Sequence, residues 1–189
     1  MTNKRIALTA AAIVAGVMMA AAPALAELHP GATAPEFTAQ AALGGDVETF
    51  DLKQALAKGP VVLYFFPKSF TSGCTEEAHA FSDHIADFKK LGATVIGVSA
   101  DDIDTQKKFS TLECRSDFLV ASDPGLKIAT EYDAKLTDEY ANRTSYVIAP
   151  DGKILESYTD LEPLPHIDRA LAALRSENEK SATRHGGGT

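Results

Sequence analysis

Continuous apolar runs along the chain predict buried strands. A strand with one exposed face alternates apolar and polar residues, whereas a strand covered on both faces is apolar throughout. Three largely apolar segments predict strands of the central sheet: PVVLYFF (60–66), ATVIGVSA (93–100) and DFLVAS (117–122). Two later segments, RTSYVIAP (143–150) and KILESY (153–158), flank Pro150-Asp151-Gly152 and predict a hairpin.

Apolar positions spaced three and four residues apart predict helices between these strands. From Cys74 to Gly92 the spacing is regular, with apolar residues at Ala78, Phe81, Ile85 and Phe88. Cys74 falls in the first turn of this helix, on its apolar stripe. Other helices are predicted from Asp101 or Asp102 to about Cys114, from Ser122 or Asp123 to Tyr132, and over residues 164–175.

Strands and helices alternate in this order until the hairpin and the last helix. Alternation of this kind is typical of an α/β domain with a central mixed β-sheet flanked by helices on both faces. Ahead of it, Gly44-Gly45-Asp46 predicts a turn between two short strands. Residues 177–189 are polar, end in three glycines before the final threonine and predict a disordered tail, so the domain is predicted to span residues 27–176.

Composition suits one globular domain preceded by a targeting segment. The chain has 189 residues, 45% of them hydrophobic, enough for one sizeable core. Residues 1–26 combine Lys4 and Arg5, an uncharged apolar run over 6–19, and the small-x-small pattern Ala24-Leu25-Ala26. This pattern predicts a cleaved signal peptide, a periplasmic or secreted location and no membrane attachment after cleavage; a retained membrane anchor is the alternative.

Charge and cysteine count restrict the function further. Without residues 1–26 the chain holds 16 basic and 26 acidic residues, a net charge of −10, which argues against nucleic acid and anionic membranes as partners. The two cysteines are Cys74 and Cys114. In an exported protein the count alone favours a single structural disulfide, so the surroundings of each cysteine must decide.

The position of Cys74 raises the question of whether its thiol is reactive. A thiol reacts as its thiolate, and an ordinary cysteine is only a few per cent ionised at neutral pH. The N-terminal end of a helix stabilises an anion by about 0.3 to 1 kcal/mol, occasionally about 2. A thiol that is mostly ionised at neutral pH needs a pKa shift worth roughly 3 kcal/mol, so a nearby cation is needed as well. The apolar stripe opposes ionisation, and an inert buried thiol is the alternative.

The loop before Cys74 favours the reactive alternative. Pro67, Thr71 and Cys74 form the pattern P-x-x-x-T-x-x-C, and Gly73 lets other groups approach the backbone closely. A hydroxyl at Thr71 can hydrogen-bond both the sulfur and an incoming oxygen atom, while Pro67, which lacks an N–H, shields a thiolate from water.

These residues carry a resemblance to a known family. The segment YFFPKSFTSGCTEEA (64–78) resembles the active-site segment of peroxiredoxins and, within them, is similar to the Q-type (bacterioferritin comigratory protein) branch. GATAPEF (31–37), GATVIGVSADD (92–102) and NRTSYVIAPDGKI (142–154) resemble the entry segment, the second strand and the arginine-bearing segment of that family. The resemblance implies a thioredoxin-like fold.

The resemblance also implies roles for individual residues. Cys74 would be the peroxidatic nucleophile, with Pro67 and Thr71 shaping its pocket and Arg143 supplying the missing cation. Glu77 would orient Arg143 through a paired carboxylate. The alternatives are that Arg143 is a solvated surface arginine and that Glu77 is a solvated residue of the helix. The thiolate would attack hydrogen peroxide or an organic hydroperoxide and become a sulfenic acid, with Thr71 and Arg143 stabilising the departing hydroxide or alkoxide.

The second thiol is the candidate for the resolving step. Some Q-type members carry a resolving cysteine five residues after the nucleophile, where this chain has His79; others carry it in the following helix, near Cys114. Cys114 is therefore predicted to form an intrachain disulfide with Cys74, which requires local unfolding; a bystander thiol is the alternative. A thioredoxin-like or other dithiol is the implied reductant. No cofactor or metal is predicted, and the implied assembly is a monomer or weak homodimer.

Two other functions remain open at this stage. A thiol–disulfide oxidoreductase of the same fold would normally carry C-x-x-C, but Thr71 and Glu77 stand three residues before and after Cys74. A non-enzymatic binding or holdase domain would use Cys74 and Cys114 as a structural disulfide.

Overall fold

The computed structural model describes residues 28–186, and the predicted signal peptide over residues 1–26 lies outside them. Of the helices in this range, none combines the length and the apolar character that a membrane crossing requires. The described strands are β1 (Thr38–Leu43), β2 (Asp46–Asp51), β3 (Val61–Phe65), β4 (Thr94–Ser99), β5 (Leu119–Ser122), β6 (Thr144–Ile148) and β7 (Ile154–Thr159). The described helices are α1 (Leu52–Leu56), α2 (Ser72–Asp83), α3 (Ile85–Lys90), α4 (Ile103–Leu112), α5 (Lys127–Glu131) and α6 (Leu164–Gly186).

The seven strands form one mixed sheet in the order β2-β1-β5-β4-β3-β6-β7. Strand β4 pairs in parallel with β3 and β5, which are joined through helices, as the alternating pattern predicts. Strand β6 runs antiparallel to both β3 and β7, and β1 runs antiparallel to β5. The predicted α/β class and the mixed sheet are confirmed.

Strand β3 lies in the middle of the molecule and is buried on both faces. All five of its residues are buried, and alternate side chains enter two separate hydrophobic clusters. Leu63 and Phe65 lie in one cluster, whereas Tyr64 lies in the other together with Cys74 and Cys114. Both cysteines therefore lie on the same side of the sheet.

The helix predicted from Cys74 to Gly92 is two helices. Helix α2 ends at Asp83 and α3 begins at Ile85, with His84 between them at φ −104° and ψ 6°. The apolar spacing continues through the break, so periodicity alone could not reveal it. Residues 82–84 are Ser, Asp and His, which all have lower helix propensity than Ala or Leu, and the short side chains of Ser and Asp also compete for backbone hydrogen bonds.

The C-terminal helix is longer than its apolar pattern predicts. Helix α6 continues to Gly186, so the tail predicted to be disordered is helical over residues 177–186. The prediction ended the helix at Arg175, where the apolar spacing stops. Beyond that point Glu, Lys and Ala residues, which have high intrinsic helix propensity, extend the helix.

A buried histidine joins α6 to the sheet. The Nε2–H of His166 donates to the Asp160 carbonyl at 3.0 Å, so Nδ1 accepts from the Ser145 hydroxyl at 2.6 Å. The imidazole is fully buried, and burial lowers the pKa of His166 to about 4. It is therefore neutral in the folded protein at neutral pH.

This histidine should make stability depend on pH. Below the ordinary histidine pKa of about 6.5, His166 is protonated in the unfolded chain but stays neutral in the folded chain. The free energy of unfolding should therefore fall as the pH drops from 6.5 towards 4, by about 3 kcal/mol over the whole window. Denaturant unfolding of wild type and His166→Gln at several pH values measures this. The substituted protein should lose less stability across the window; an identical pH dependence in both proteins would contradict the prediction.

Candidate active site

Cys74 lies in the first turn of α2, beside the end of the central strand. The loop after β3 leads to Thr71, the residue before the helix, and Cys74 is the third helical residue. The first intrahelical bond runs from the Thr75 N–H to the Thr71 carbonyl at 2.9 Å, so the N–H groups at positions 72–74 face outward from the helix end. Cys74 is only 2% exposed. A thiolate here would lie at the positive end of the helix dipole.

The structure places Arg143 against this sulfur. Arg143 immediately precedes β6, whose first residue, Thr144, pairs with Phe65 at the end of β3. Its Nη2–H points to Cys74 Sγ at 3.6 Å, its Nη1–H donates to Glu77 Oε2, and its Nε–H donates to the Leu161 carbonyl at 3.0 Å. Cys74, Arg143 and Glu77 are thus brought together, as the resemblance implied.

Neither charged partner is a solvated surface residue. Arg143 is 5% exposed and Glu77 is fully buried. Burial raises the pKa of Glu77, and the adjacent guanidinium opposes that rise. Burial disfavours the charge of Arg143, but the carboxylate of Glu77 and the sulfur of Cys74 outweigh it and raise the pKa of Arg143. The guanidinium therefore remains a permanent cation next to the sulfur.

Gly73 makes room for this cation. A Cβ atom at position 73 would lie 3.0 Å from Nη2 of Arg143, and three hydrogen bonds prevent the guanidinium from moving aside. The close approach predicted for Gly73 is therefore made by Arg143 to the first turn of α2.

The hydroxyl of Thr71 differs from its predicted contact. It donates to the Lys68 carbonyl at 2.9 Å and not to the sulfur of Cys74. This hydrogen bond closes the short loop, because a threonine hydroxyl can reach the backbone carbonyl three residues earlier in the chain. Pro67 is half-buried and lies directly after Phe66, at the start of the same loop.

A buried polar network that sequence reasoning missed holds this loop. The Ser69 N–H donates to Asp101 Oδ2 at 2.7 Å, and the Ser69 hydroxyl donates to Gln106 Oε1 at 3.3 Å. The neighbouring Phe70 adopts a left-handed backbone with φ 63°, which the anchored loop imposes. Asp101 was a predicted candidate for capping α4; Asp102 caps it instead, and Asp101 anchors the loop.

Leu161 was also missed, and its role carries no sequence signal. Its backbone carbonyl, not its side chain, accepts from Arg143. Any residue type supplies that acceptor, so only the path of the chain after β7 reveals it.

Cys114 lies just past the end of α4 and is buried. Neither Cys74 nor Cys114 is in a disulfide. Burial, followed by the charges of Glu113 and Asp117, raises the pKa of Cys114 well above its ordinary value. The predicted helix ends at Leu112, and Arg115 and Ser116 then adopt left-handed conformations that turn the chain.

Three contacts attach residues 113–115 to α2, and these contacts are here called the clamp. Glu113 pairs with His79 at 2.8 Å, the Ser82 hydroxyl donates to the Cys114 carbonyl at 2.9 Å, and Arg115 donates to Asp83 at 2.6 Å. His79, which stands where some Q-type proteins carry a cysteine, is thus part of the clamp.

Comparison with known proteins places the chain in a family. Residues 30–157 match the AhpC/TSA family. The chloroplastic peroxiredoxin Q of Gentiana triflora is 36% identical over 154 residues, which cover 80% of this chain and 69% of that relative. A putative peroxiredoxin of Mycobacterium tuberculosis is 35% identical over 130 residues, 66% of this chain and 84% of that relative.

Solved structures agree. Peroxidoxin BcpB of Mycobacterium tuberculosis superposes with a TM-score of 0.72 at 31% identity, covering 79% of this chain and 97% of that chain. A reduced 2-Cys peroxiredoxin of Plasmodium vivax superposes with a TM-score of 0.73 at 22% identity, covering 82% and 84%, and supports the fold alone. The predicted thioredoxin-like fold is confirmed.

The same relatives contradict the predicted location. The peroxiredoxins Q of Gentiana triflora, Populus jackii and Sedum lineare are chloroplastic, so the prediction of a periplasmic or secreted protein from residues 1–26 is wrong. That prediction rested on Lys4 and Arg5, the apolar run over 6–19 and the small-x-small pattern Ala24-Leu25-Ala26. Basic residues without acidic ones also occur in transit peptides, so the composition of residues 1–26 does not identify the compartment.

The matches also decide the class of reaction. Peroxiredoxins reduce peroxides with electrons from thioredoxin-type reductants, and neither a thiol–disulfide oxidoreductase nor a non-enzymatic binding domain is favoured. The chain belongs to the AhpC/TSA family, in its peroxiredoxin Q branch, and is a thioredoxin-dependent peroxidase.

Proposed function

We propose that Cys74 is the peroxidatic nucleophile and that Cys114 resolves its sulfenic acid as an intrachain disulfide. The observation that carries the first part is the guanidinium of Arg143, 3.6 Å from Cys74 Sγ at the beginning of a helix. The cation and the helix end together favour the thiolate in a site where burial alone would oppose it.

The proposed first step is a displacement on oxygen. The Cys74 thiolate attacks one oxygen of hydrogen peroxide or an organic hydroperoxide, an S–O bond forms and the O–O bond breaks. The departing hydroxide or alkoxide takes up a proton and leaves as water or alcohol. Arg143 acts where the negative charge moves from sulfur to the leaving oxygen. Thr71 and Pro67 shape the pocket; since Lys68 uses the Thr71 hydroxyl hydrogen, the oxygen of Thr71 is available to accept from the peroxide O–H.

Replacing Arg143 by lysine should slow this first step. Lysine carries a point charge and cannot contact Cys74, Glu77 and the Leu161 carbonyl together, so we expect the rate of Cys74 oxidation to fall about 100-fold. Stopped-flow measurement of peroxide consumption tests this. Arg169→Lys is the matched control, because Arg169 pairs with Glu156 at the surface and should change the rate less than twofold. A rate for Arg143→Lys within twofold of wild type would contradict the role.

The two cysteines should respond differently to substitution. Reduced wild type should show two free thiols and, after one equivalent of peroxide, none, with one intramolecular disulfide. Cys74→Ser should abolish peroxide turnover, and Cys114→Ser should accumulate a sulfenic acid at position 74. Mass spectrometry after alkylation and after trapping of sulfenic acid measures both. Turnover by Cys74→Ser would overturn the nucleophile, and one free thiol left in oxidised wild type would overturn the resolver.

The proposed disulfide requires a rearrangement of either the beginning of α2 or residues 113–115. The backbone carbonyl of Cys114 accepts a hydrogen bond from the hydroxyl of Ser82. Ser82 lies eight residues beyond Cys74 on α2, and eight helical residues span about 12 Å. Disulfide-bonded Cα atoms lie about 4.4 to 6.8 Å apart. Either the beginning of α2 unwinds, or residues 113–115 detach from α2. A thioredoxin-type dithiol then reduces the disulfide and both segments refold.

Of the two rearrangements, the release of residues 113–115 is the one that the clamp opposes, so loosening the clamp should speed the second step. Asp83→Asn removes the charge that pairs with Arg115, a partly exposed contact worth about 0.2 to 1 kcal/mol, so disulfide formation should become about 1.4 to 5 times faster. Rapid quenching with a thiol-blocking reagent gives this rate. Asp87→Asn is the control, because Asp87 pairs with Lys90 and His84, outside the clamp. Unchanged or slower disulfide formation in Asp83→Asn would show that the clamp does not restrain Cys114.

A further inference from the structure

The hydroxyl of Tyr64 has no hydrogen-bond partner among the described residues of the reduced protein. Two buried side-chain polar atoms lack a hydrogen-bond partner within the described part of the chain, Tyr64 Oη and Glu77 Oε1. The buried tyrosines on the other side of the sheet differ: Tyr132 donates to the Pro35 carbonyl at 2.7 Å, and Tyr146 donates to the Tyr132 carbonyl at 2.5 Å. An unpaired buried hydroxyl is unfavourable, so its retention calls for an explanation.

Tyr64 occupies a fixed position on the side of the sheet that carries both thiols. It lies on β3, in the cluster that also contains Cys74 and Cys114, and its ring stacks on Phe81 of α2 with centroids 4.4 Å apart. Gly97 of β4 pairs with it in the sheet, and a Cβ atom there would lie 2.7 Å from Tyr64 Oη. The glycine therefore leaves space that the phenol fills, and the phenol is held on the rigid side of the site.

Every ionisable group of the site acts on this hydroxyl. Burial raises the pKa of Tyr64 well above its ordinary value, and Cys114, Glu77 and Cys74 raise it further while Arg143 opposes them. The phenol consequently keeps its proton at neutral pH and is available as a hydrogen-bond donor. Glu77 Oε1 is available as an acceptor.

Oxidation of Cys74 creates a group that matches this donor and acceptor. A sulfenic acid adds one O–H, which can accept one hydrogen bond and donate another. We propose that Tyr64 is a further catalytic residue, whose hydroxyl donates to the Cys74 sulfenic oxygen while that O–H donates to Glu77 Oε1. This inference rests on the roles proposed above for Cys74 and Cys114.

The step that Tyr64 assists is the resolution. The Cys114 sulfur attacks the Cys74 sulfur, an S–S bond forms and the S–O bond breaks. The departing oxygen leaves as water, carrying its own hydrogen and the proton of the Cys114 thiol. The hydrogen bond from Tyr64 orients the S–O bond and stabilises negative charge on the departing oxygen. Because Tyr64 belongs to the central strand, it stays beside Cys74 when residues 113–115 are the segment that rearranges.

The substitution Tyr64→Phe tests this with little change in shape. The ring and its stacking on Phe81 remain, and only the hydroxyl is lost. We expect the ratio of the disulfide-forming rate to the thiolate-oxidation rate to fall at least about tenfold, and sulfinic acid to accumulate in excess peroxide. The melting temperature of the reduced variant should equal or exceed that of wild type, because an unpaired buried hydroxyl is removed.

The control and the outcomes separate this inference from the proposed function. Tyr132→Phe deletes a paired hydroxyl on the other side of the sheet and should leave the ratio of rates unchanged. If wild type forms no Cys74–Cys114 disulfide, the resolving role of Cys114 fails and the role of Tyr64 fails with it. If wild type forms the disulfide and Tyr64→Phe retains the wild-type ratio, the role of Tyr64 alone is overturned. A lower ratio in Tyr132→Phe, or an equal slowing of both steps in Tyr64→Phe, would also overturn it.

Discussion

The buried guanidinium of Arg143 is the interaction on which the site depends. A cation inside a protein is tolerated only when opposite charge and hydrogen-bond acceptors surround it. Glu77 supplies the charge, the Leu161 carbonyl supplies a neutral acceptor, and the sulfur of Cys74 receives the remaining donor. The same three contacts that make burial of the cation possible also determine where it points.

The site combines a rigid half with a half that can rearrange. Tyr64 lies on β3, and Arg143 lies directly before β6. Both strands are fully buried and are paired with another strand on each side. Cys74 lies in the first turn of α2 and Cys114 in the turn after α4, and three polar contacts join these two segments. The ion pairs His79–Glu113 and Arg115–Asp83 are partly exposed and therefore weak, so residues 113–115 can move while Tyr64 and Arg143 remain in place.

The loop after β3, which leads to Cys74, is held by hydrogen bonds to the neighbouring part of the sheet. Ser69 joins it to Asp101, which follows β4, and to Gln106 of α4. Adjacent parallel strands end at the same edge, so the polar residues that follow β3 and β4 meet there. The geometry of the pocket is therefore supported by the sheet itself.

The sequence by itself determined the elements and the chemistry of this protein. Apolar runs and helical spacing depend on neighbouring residues, and they were sufficient to predict the strands, the helix that begins near Cys74 and the α/β class. The loop pattern around Cys74 and the segment around Arg143 were sufficient to indicate a peroxiredoxin. What they could not predict is local conformation without an apolar signal, such as the break at His84 and the helical residues after Arg175.

Only the tertiary structure decided which groups meet. Arg143 is 69 residues from Cys74 in sequence and reaches it because β6 pairs with β3 in one particular register. The carbonyl of Leu161, the clamp on Cys114 and the unpaired hydroxyl of Tyr64 follow from that packing in the same way. Hydrophobic periodicity records which side of an element is buried, whereas these contacts depend on strand register and on the path of the backbone, which no local pattern contains.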